Sequence, residues 1–147
     1  LAQFGRPSTD TYNADGYTDQ AAGSTNIYTT IDEASQNDSD YIQTVLGPTN
    51  DVYVTKLTTL EDPVSSSGHI VRVRHQKSTT GGATVNLTAQ LRQGYTNEGS
   101  PGTLIATAMS AVAVDTVTTT AYTLSAGEAD AITDYTNLYL RFLYNQV

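Results

Sequence analysis

Residues 84–92 hold a strict two-residue alternation: Val85, Leu87, Ala89 and Leu91 interleave with Thr84, Asn86, Thr88, Gln90 and Arg92. Successive side chains of an extended chain point to opposite faces, so this stretch reads as a strand with one buried and one wet face. Just upstream, Val71 and Val73 alternate with Arg72 and Arg74. Between the two runs lies Ser78-Thr79-Thr80-Gly81-Gly82, whose paired glycines suit the positive φ of a hairpin turn. Residues 69–77 and 83–93 are therefore expected to pair as a hairpin at the centre of a sheet.

Composition extends the β reading to the whole chain. Only 15% of the 147 residues are charged, against roughly 25% in an average soluble protein. Polarity comes from Thr, Ser, Asn and Gln, and the aromatics are 10 Tyr against 2 Phe and no Trp. Threonine and tyrosine sit well on a pleated surface. The length fits one domain with one core.

Charge and cysteine content bear on partners. The net charge is −8, with seven Lys plus Arg. A nucleic-acid binder needs a basic stripe to displace phosphate counterions, so no nucleic-acid partner is expected. The same sign disfavours an anionic membrane surface, and no apolar run approaches the ~18 residues of a spanning helix. With no Cys, disulfides, thiolate metal sites and cysteine nucleophiles drop out together. Beginning at Leu1 and not Met, the sequence is expected to be that of a processed or trimmed chain, without a charged-then-apolar leader at its start.

Taken in order, residues 1–26 are polar and without a sustained period, and Phe4, Tyr12 and Tyr17 are isolated large side chains. This stretch is expected to be either a loosely held terminus or, in an assembly subunit, an extended arm anchored on a neighbouring copy through those aromatics. Residues 27–147 are expected to form the β domain. Strands are predicted over 26–33, 40–46, 51–60, 103–110, 117–124 and 137–145, in addition to the two of the hairpin. Ser125 and Glu128 have the spacing of a capping box, which predicts one helical turn over 126–132. In the last strand Leu138, Leu140, Phe142 and Tyr144 share a face. Eight short strands with turn signals between them predict an all-β, antiparallel two-sheet sandwich, jelly-roll-like, with one short helical turn before the last strand.

Several stretches carry a resemblance. They are Ile31-Asp32-Glu33-Ala34, Asp38-Ser39-Asp40-Tyr41-Ile42, Asp62-Pro63 and Val71-Arg72-Val73-Arg74. Toward the C-terminus they are Tyr122-Thr123-Leu124-Ser125, residues 128–134, and Leu138-Tyr139-Leu140-Arg141-Phe142. Over about three quarters of the chain this pattern resembles small jelly-roll-like β-sandwich structural proteins of tailed phages. The resemblance implies a virion component of the decoration, fibre or tail-associated type, with other virion proteins as partners. The same sandwich could serve as the repeating unit of a filament.

Candidate chemistry is sparse. His69 and His75, the only histidines, share strand parity but sit about 20 Å apart by strand rise, too far for one zinc ion. Asn37-Asp38-Ser39-Asp40 could supply part of a calcium shell, yet it lacks the closing Glu and glycine of a calcium loop, and turn capping accounts for the same residues. Ser66 and His69 are close in sequence without a glycine elbow to hold them as nucleophile and base. No phosphate-cradling glycine loop is present. No catalytic residue, cofactor or metal is therefore assigned.

Arg72 and Arg74, with Lys77 and Arg92 across the expected hairpin, would gather most of the positive charge on one outer strand face. Such a face could pair with the chain's own carboxylates or with the acidic loops of another copy. The sequence thus predicts a non-enzymatic structural protein that self-assembles or decorates a homopolymeric assembly, virion or extracellular, with Phe4, Tyr12, Tyr17, Arg72 and Arg74 at its interface. The alternative is a module binding a cell-surface glycan through loop tyrosines such as Tyr95.

Overall fold

The computed structural model of the chain describes residues 2–80 and 82–147; Gly81, in the expected hairpin turn, lies outside them. The chain is all-β and every ladder is antiparallel. Its strands are β1 (Pro7–Tyr12), β2 (Thr18–Asp19), β3 (Ile42–Gln43), β4 (Thr49–Leu57), β5 (Ile70–His75), β6 (Val85–Gln93), β7 (Thr103–Val112), β8 (Thr118–Thr123) and β9 (Leu138–Gln146). A 3-10 turn covers Ile27–Thr30, and one short helix, α1 (Ala126–Asp130), precedes β9. The sandwich, the short helix and its capping box are as the sequence predicts: Ser125 Oγ accepts from Glu128 N–H, and Glu128 Oε2 accepts from Ser125 N–H at 2.8 Å.

One layer is a five-stranded sheet in the order β1-β4-β9-β6-β7. Its inner face carries the β9 row Leu138, Leu140, Phe142 and Tyr144, flanked on β6 by Leu87, Ala89 and Leu91, with Phe142 opposite both Tyr53 and Ala89. Two smaller units pack on this face. Toward β6 and β7 sits the β5–β8 pair, which contributes Val71, Val73 and Tyr122 to the main core. Toward β4 sits the β2–β3 pair with the 3-10 turn, where Tyr17, Ile27 and Ile42 close over Tyr53, Phe142 and Tyr144. The outer face has its own apolar cluster, Val52, Val54, Tyr95 and Tyr139, under residues 94–102. That loop turns tightly at Gly102, whose φ is +71° and where a Cβ would meet the Gln93 carbonyl oxygen at 2.3 Å, so glycine is required there. The β6–β7 ladder is interrupted by two register shifts, between Ala89 and Gln90 and between Leu91 and Arg92.

Three sequence expectations are corrected. First, β5 and β6 do not form a hairpin: β5 pairs with β8, while β6 pairs with β7 and β9. The two strands lie in different sheets, which alternation alone does not encode. Second, residues 26–33 form no strand but hold a 3-10 turn at Ile27–Thr30, and the strand expected over 40–46 shrinks to Ile42–Gln43.

Third, the described residues of the 1–26 stretch are not an arm. β1 forms an edge of the main sheet against β4. Ahead of it Gln3 exchanges two hydrogen bonds with the backbone of Glu61, and Arg6 exchanges two with Thr58. Tyr17 is 1% exposed and donates its hydroxyl to the Asp51 carbonyl at 2.9 Å.

Asp10 ties this segment down. Its carboxylate accepts the Ile27 and Tyr28 N–H groups, each at 2.9 Å, and the hydroxyl of fully buried Tyr53 at 2.7 Å. Burial, with Asp10 beside it, pushes the Tyr53 phenol well above its ordinary pKa, so the hydroxyl stays a donor. Removing the acceptor strands three donors at once. Asp10→Ala is expected to lose about 3 kcal/mol of stability in urea melts, and Asp10→Asn less, because an amide oxygen still accepts. Equal stability of the wild type and Asp10→Ala would show that the segment is not held in this way.

A candidate assembly surface along strand β5

The inner face of the large sheet is covered on both flanks but not between them. Leu140, Phe142 and Tyr144 are half-buried where Leu87 and Ala89 next to them are fully buried. The opening is a cleft of about 1670 Å³. One wall is β5 along its whole length, the other is residues 33–48, and β4 and β9 supply the floor through Leu57, Leu140, Phe142 and Tyr144. Six large apolar side chains that are substantially exposed gather at this cleft: Phe4, Tyr41, Val45, Leu46, Ile70 and Val117. Leu46 is 88% exposed and Phe4 65%.

Of the five residues the sequence singles out, the structure brings four to this cleft. Phe4, Arg72 and Arg74 line it, and so does Tyr17, which is buried and not exposed. Tyr12 is on the other side of the sheet, half-buried against Val52 and Val54. The alternation read in β5 is present: Val71, Val73 and His75 are buried, and Ile70, Arg72 and Arg74 are exposed. Arg74 spans the cleft mouth to Asp38, donating Nη2 to Oδ2 at 2.6 Å and Nε to Oδ1, with a further bond to Thr119 Oγ1. The guanidinium draws the Asp38 carboxyl below its usual pKa. Arg72 makes no ion pair among the described residues. Arg92 does not join this face. It lies on β6, where it donates to Gln90 and to the carbonyls of Pro101 and Gly102.

The other candidates resolve into structural roles. Asp38 serves Arg74, Asp40 accepts from Gln20 and Asn37, and Ser39 N–H caps Asn37 Oδ1, which is turn chemistry and not an open ion shell. Among the described residues no three His, Cys, Asp or Glu side chains converge as a metal site. His69 Nε2 shares a 2.7 Å hydrogen bond with the Tyr135 hydroxyl and not with Ser66. His75 is a core histidine and not a solvated one: it is 8% exposed, it bonds Thr120 Oγ1 at 3.0 Å, and burial lowers its pKa.

Tyr95, the expected glycan platform, is 5% exposed, packs on Tyr139 and donates to Glu98 Oε1 at 3.0 Å. It offers no open ring for a sugar. What the sequence gives no sign of is the cleft rim. Tyr41, Val45 and Leu46 look like ordinary strand residues until the chain is seen to pair only at Ile42–Gln43.

No family model matches the chain, and no significant match was found to a curated protein or to a solved structure.

On the opposite face, Arg141 donates Nε and Nη2 to the two oxygens of Glu98, and this pairing, with the Tyr95 hydroxyl, holds the Glu98 carboxyl below its ordinary pKa. The stabilisation is present in full above the unfolded-state value of about 4.3 and is lost as pH falls through the lower folded value. Both side chains keep partial access to water, so Glu98→Gln is expected to cost about 1–2 kcal/mol at pH 7. That deficit should shrink progressively as pH is lowered below about 4.3 in a series of urea melts. A deficit independent of pH would remove the ion pair as its cause.

For His75 the sign is the same by a different route. The folded state resists the proton that the unfolded state accepts near pH 6.5. Thermal stability should therefore fall as pH drops below about 6.5, and His75→Gln should flatten that limb.

Proposed function

We propose that this chain is a non-enzymatic structural protein that self-assembles or decorates a homopolymeric assembly, as a virion component or a subunit of an extracellular filament. The observation that carries the reading is that six of the eleven large apolar side chains exposed among the described residues line one cleft. Single exposed apolar residues are ordinary, but six gathered around a floor of half-buried Leu140, Phe142 and Tyr144 make a surface that gains by being covered. The virion setting rests on the resemblance in residues 31–34, 38–42, 62–63, 71–74, 122–125, 128–134 and 138–142.

Contact through this surface replaces the arm as the means of association. From β1 onward this stretch is committed to the chain's own fold, and Phe4 ahead of it remains exposed at the cleft.

The test is direct. Light scattering over a concentration series, with negative-stain microscopy of the same samples, should show mass rising with concentration and regular multimers. A monomer of constant mass up to roughly 1 mM, the weak end of specific association, would refute self-assembly.

A further inference from the structure

β5 is hydrogen-bonded along one edge alone. Leu124 N–H bonds the His69 carbonyl in the same register that pairs Val71 with Tyr122, Val73 with Thr120 and His75 with Thr118. Because bonding alternates along an antiparallel ladder, Ile70, Arg72 and Arg74 direct their N–H and C=O groups away from β8. Among the described residues no strand pairs with them. The open edge faces the cleft: all of β5 lines it, whereas β8 contributes Thr119 only. The β5–β8 ladder also runs without a register shift, so this edge is regular.

The space beside that edge is the size of a chain segment. The cleft as a whole, at about 1670 Å³, exceeds the roughly 300–1,000 Å³ of small-molecule sites. Its floor is apolar and its wall is a row of unpaired backbone groups, which are the two requirements for adding a strand to a sheet. Its charge indicates the occupant. Arg72 stands exposed and unpaired on the wall, and with 15 acidic against seven basic residues, what another copy presents is mostly carboxylate. Residues 38–46 are the stretch that joins carboxylates, Asp38 and Asp40, to exposed Tyr41, Val45 and Leu46. Within one copy Asp38 already reaches this strand at Arg74.

Building on the self-assembly reading, we infer that the cleft is an acceptor for residues 38–46 of a second copy, which pair with the open edge of β5 and cover Leu140, Phe142 and Tyr144. In that contact Asp40 of the incoming segment exchanges its Gln20 and Asn37 partners for Arg72.

The test uses Arg72→Pro. It removes an N–H on the cleft side and none of those facing β8, and its fold is checked by circular dichroism. Sedimentation velocity over roughly 1 µM to 1 mM should show the wild type associating and the folded variant associating at least tenfold more weakly. Arg72→Glu should weaken association as well, and Asp40→Arg in the same chain should restore it.

Should Arg72→Pro not fold, hydrogen exchange on the wild type decides. The Arg72 and Arg74 amides and those of residues 38–46 should slow on assembly, while the Val71 and Val73 amides are slow throughout. A wild type that assembles while the folded Arg72→Pro matches it, or whose Arg72 and Arg74 amides stay unprotected, overturns the acceptor site and leaves self-assembly standing. A wild type that never associates overturns both.

Discussion

The last strand of the chain is the one on which the sheet depends. β9 is bonded along both edges, to β4 and to β6, so the β1–β4 and β6–β7 pairs become one sheet only through it. Its inward row, from Leu138 to Tyr144, also reaches both units of the second layer. Non-local pairing of this kind makes folding slow, since loop closure costs entropy before any contact is gained. Gln93 helps to position the entry: its side-chain oxygen accepts from Thr133 and Asp134 N–H, and Gly94 N–H bonds the Asn137 carbonyl. The turn into β9 is thereby fixed against the end of the strand it must lie beside.

The cleft follows from how unequal the two layers are. Five strands present more apolar width than the β5–β8 pair and the β2–β3 unit cover between them. Closing the gap from within would need one more strand, and residues 33–41, made largely of Asp, Ser, Asn and Gln, spend their polar groups on local turns instead. The Arg74–Asp38 pair spans the opening without filling it. The sandwich is thus complete in its core around Leu87 and Ala89 and incomplete over Phe142.

Elements governed by local rules were legible in the sequence. The alternation in β5 and β6 gave strands and their buried faces, the shared row of Leu138, Leu140, Phe142 and Tyr144 gave the inward face of β9, and Ser125 with Glu128 gave the helix start. Partner choice was not legible. Val71 and Val73 fit a neighbour at β8 as well as one at β6, because period two says which side is buried and nothing about what lies alongside. The N-terminal stretch misled for a related reason. Asp10, Asp15 and Asn13 look like loop residues, yet Asp10 serves Ile27, Tyr28 and Tyr53, Asp15 serves Val52 N–H, and Asn13 clamps the backbone of Tyr17. Such long-range bonds leave no periodic trace. Arg72 and Arg74 were found because β5 alternates; Tyr41 and Leu46 were missed because nothing in their order says that the strand around them stops after two residues.

The two irregularities between β6 and β7 have a consequence for the far border of the molecule. β7 is the outermost strand there, ten residues long, and residues 103–112 contain no charged side chain. A flat, neutral rim of that length is the template on which cross-β fibrils grow. Bulges coil a ribbon and break its hydrogen-bonding rhythm, so no straight foreign chain can match it for more than a few residues. Two of the molecule's edges are therefore set apart by shape: the coiled β7, which resists indiscriminate stacking, and the regular β5 beside the cleft.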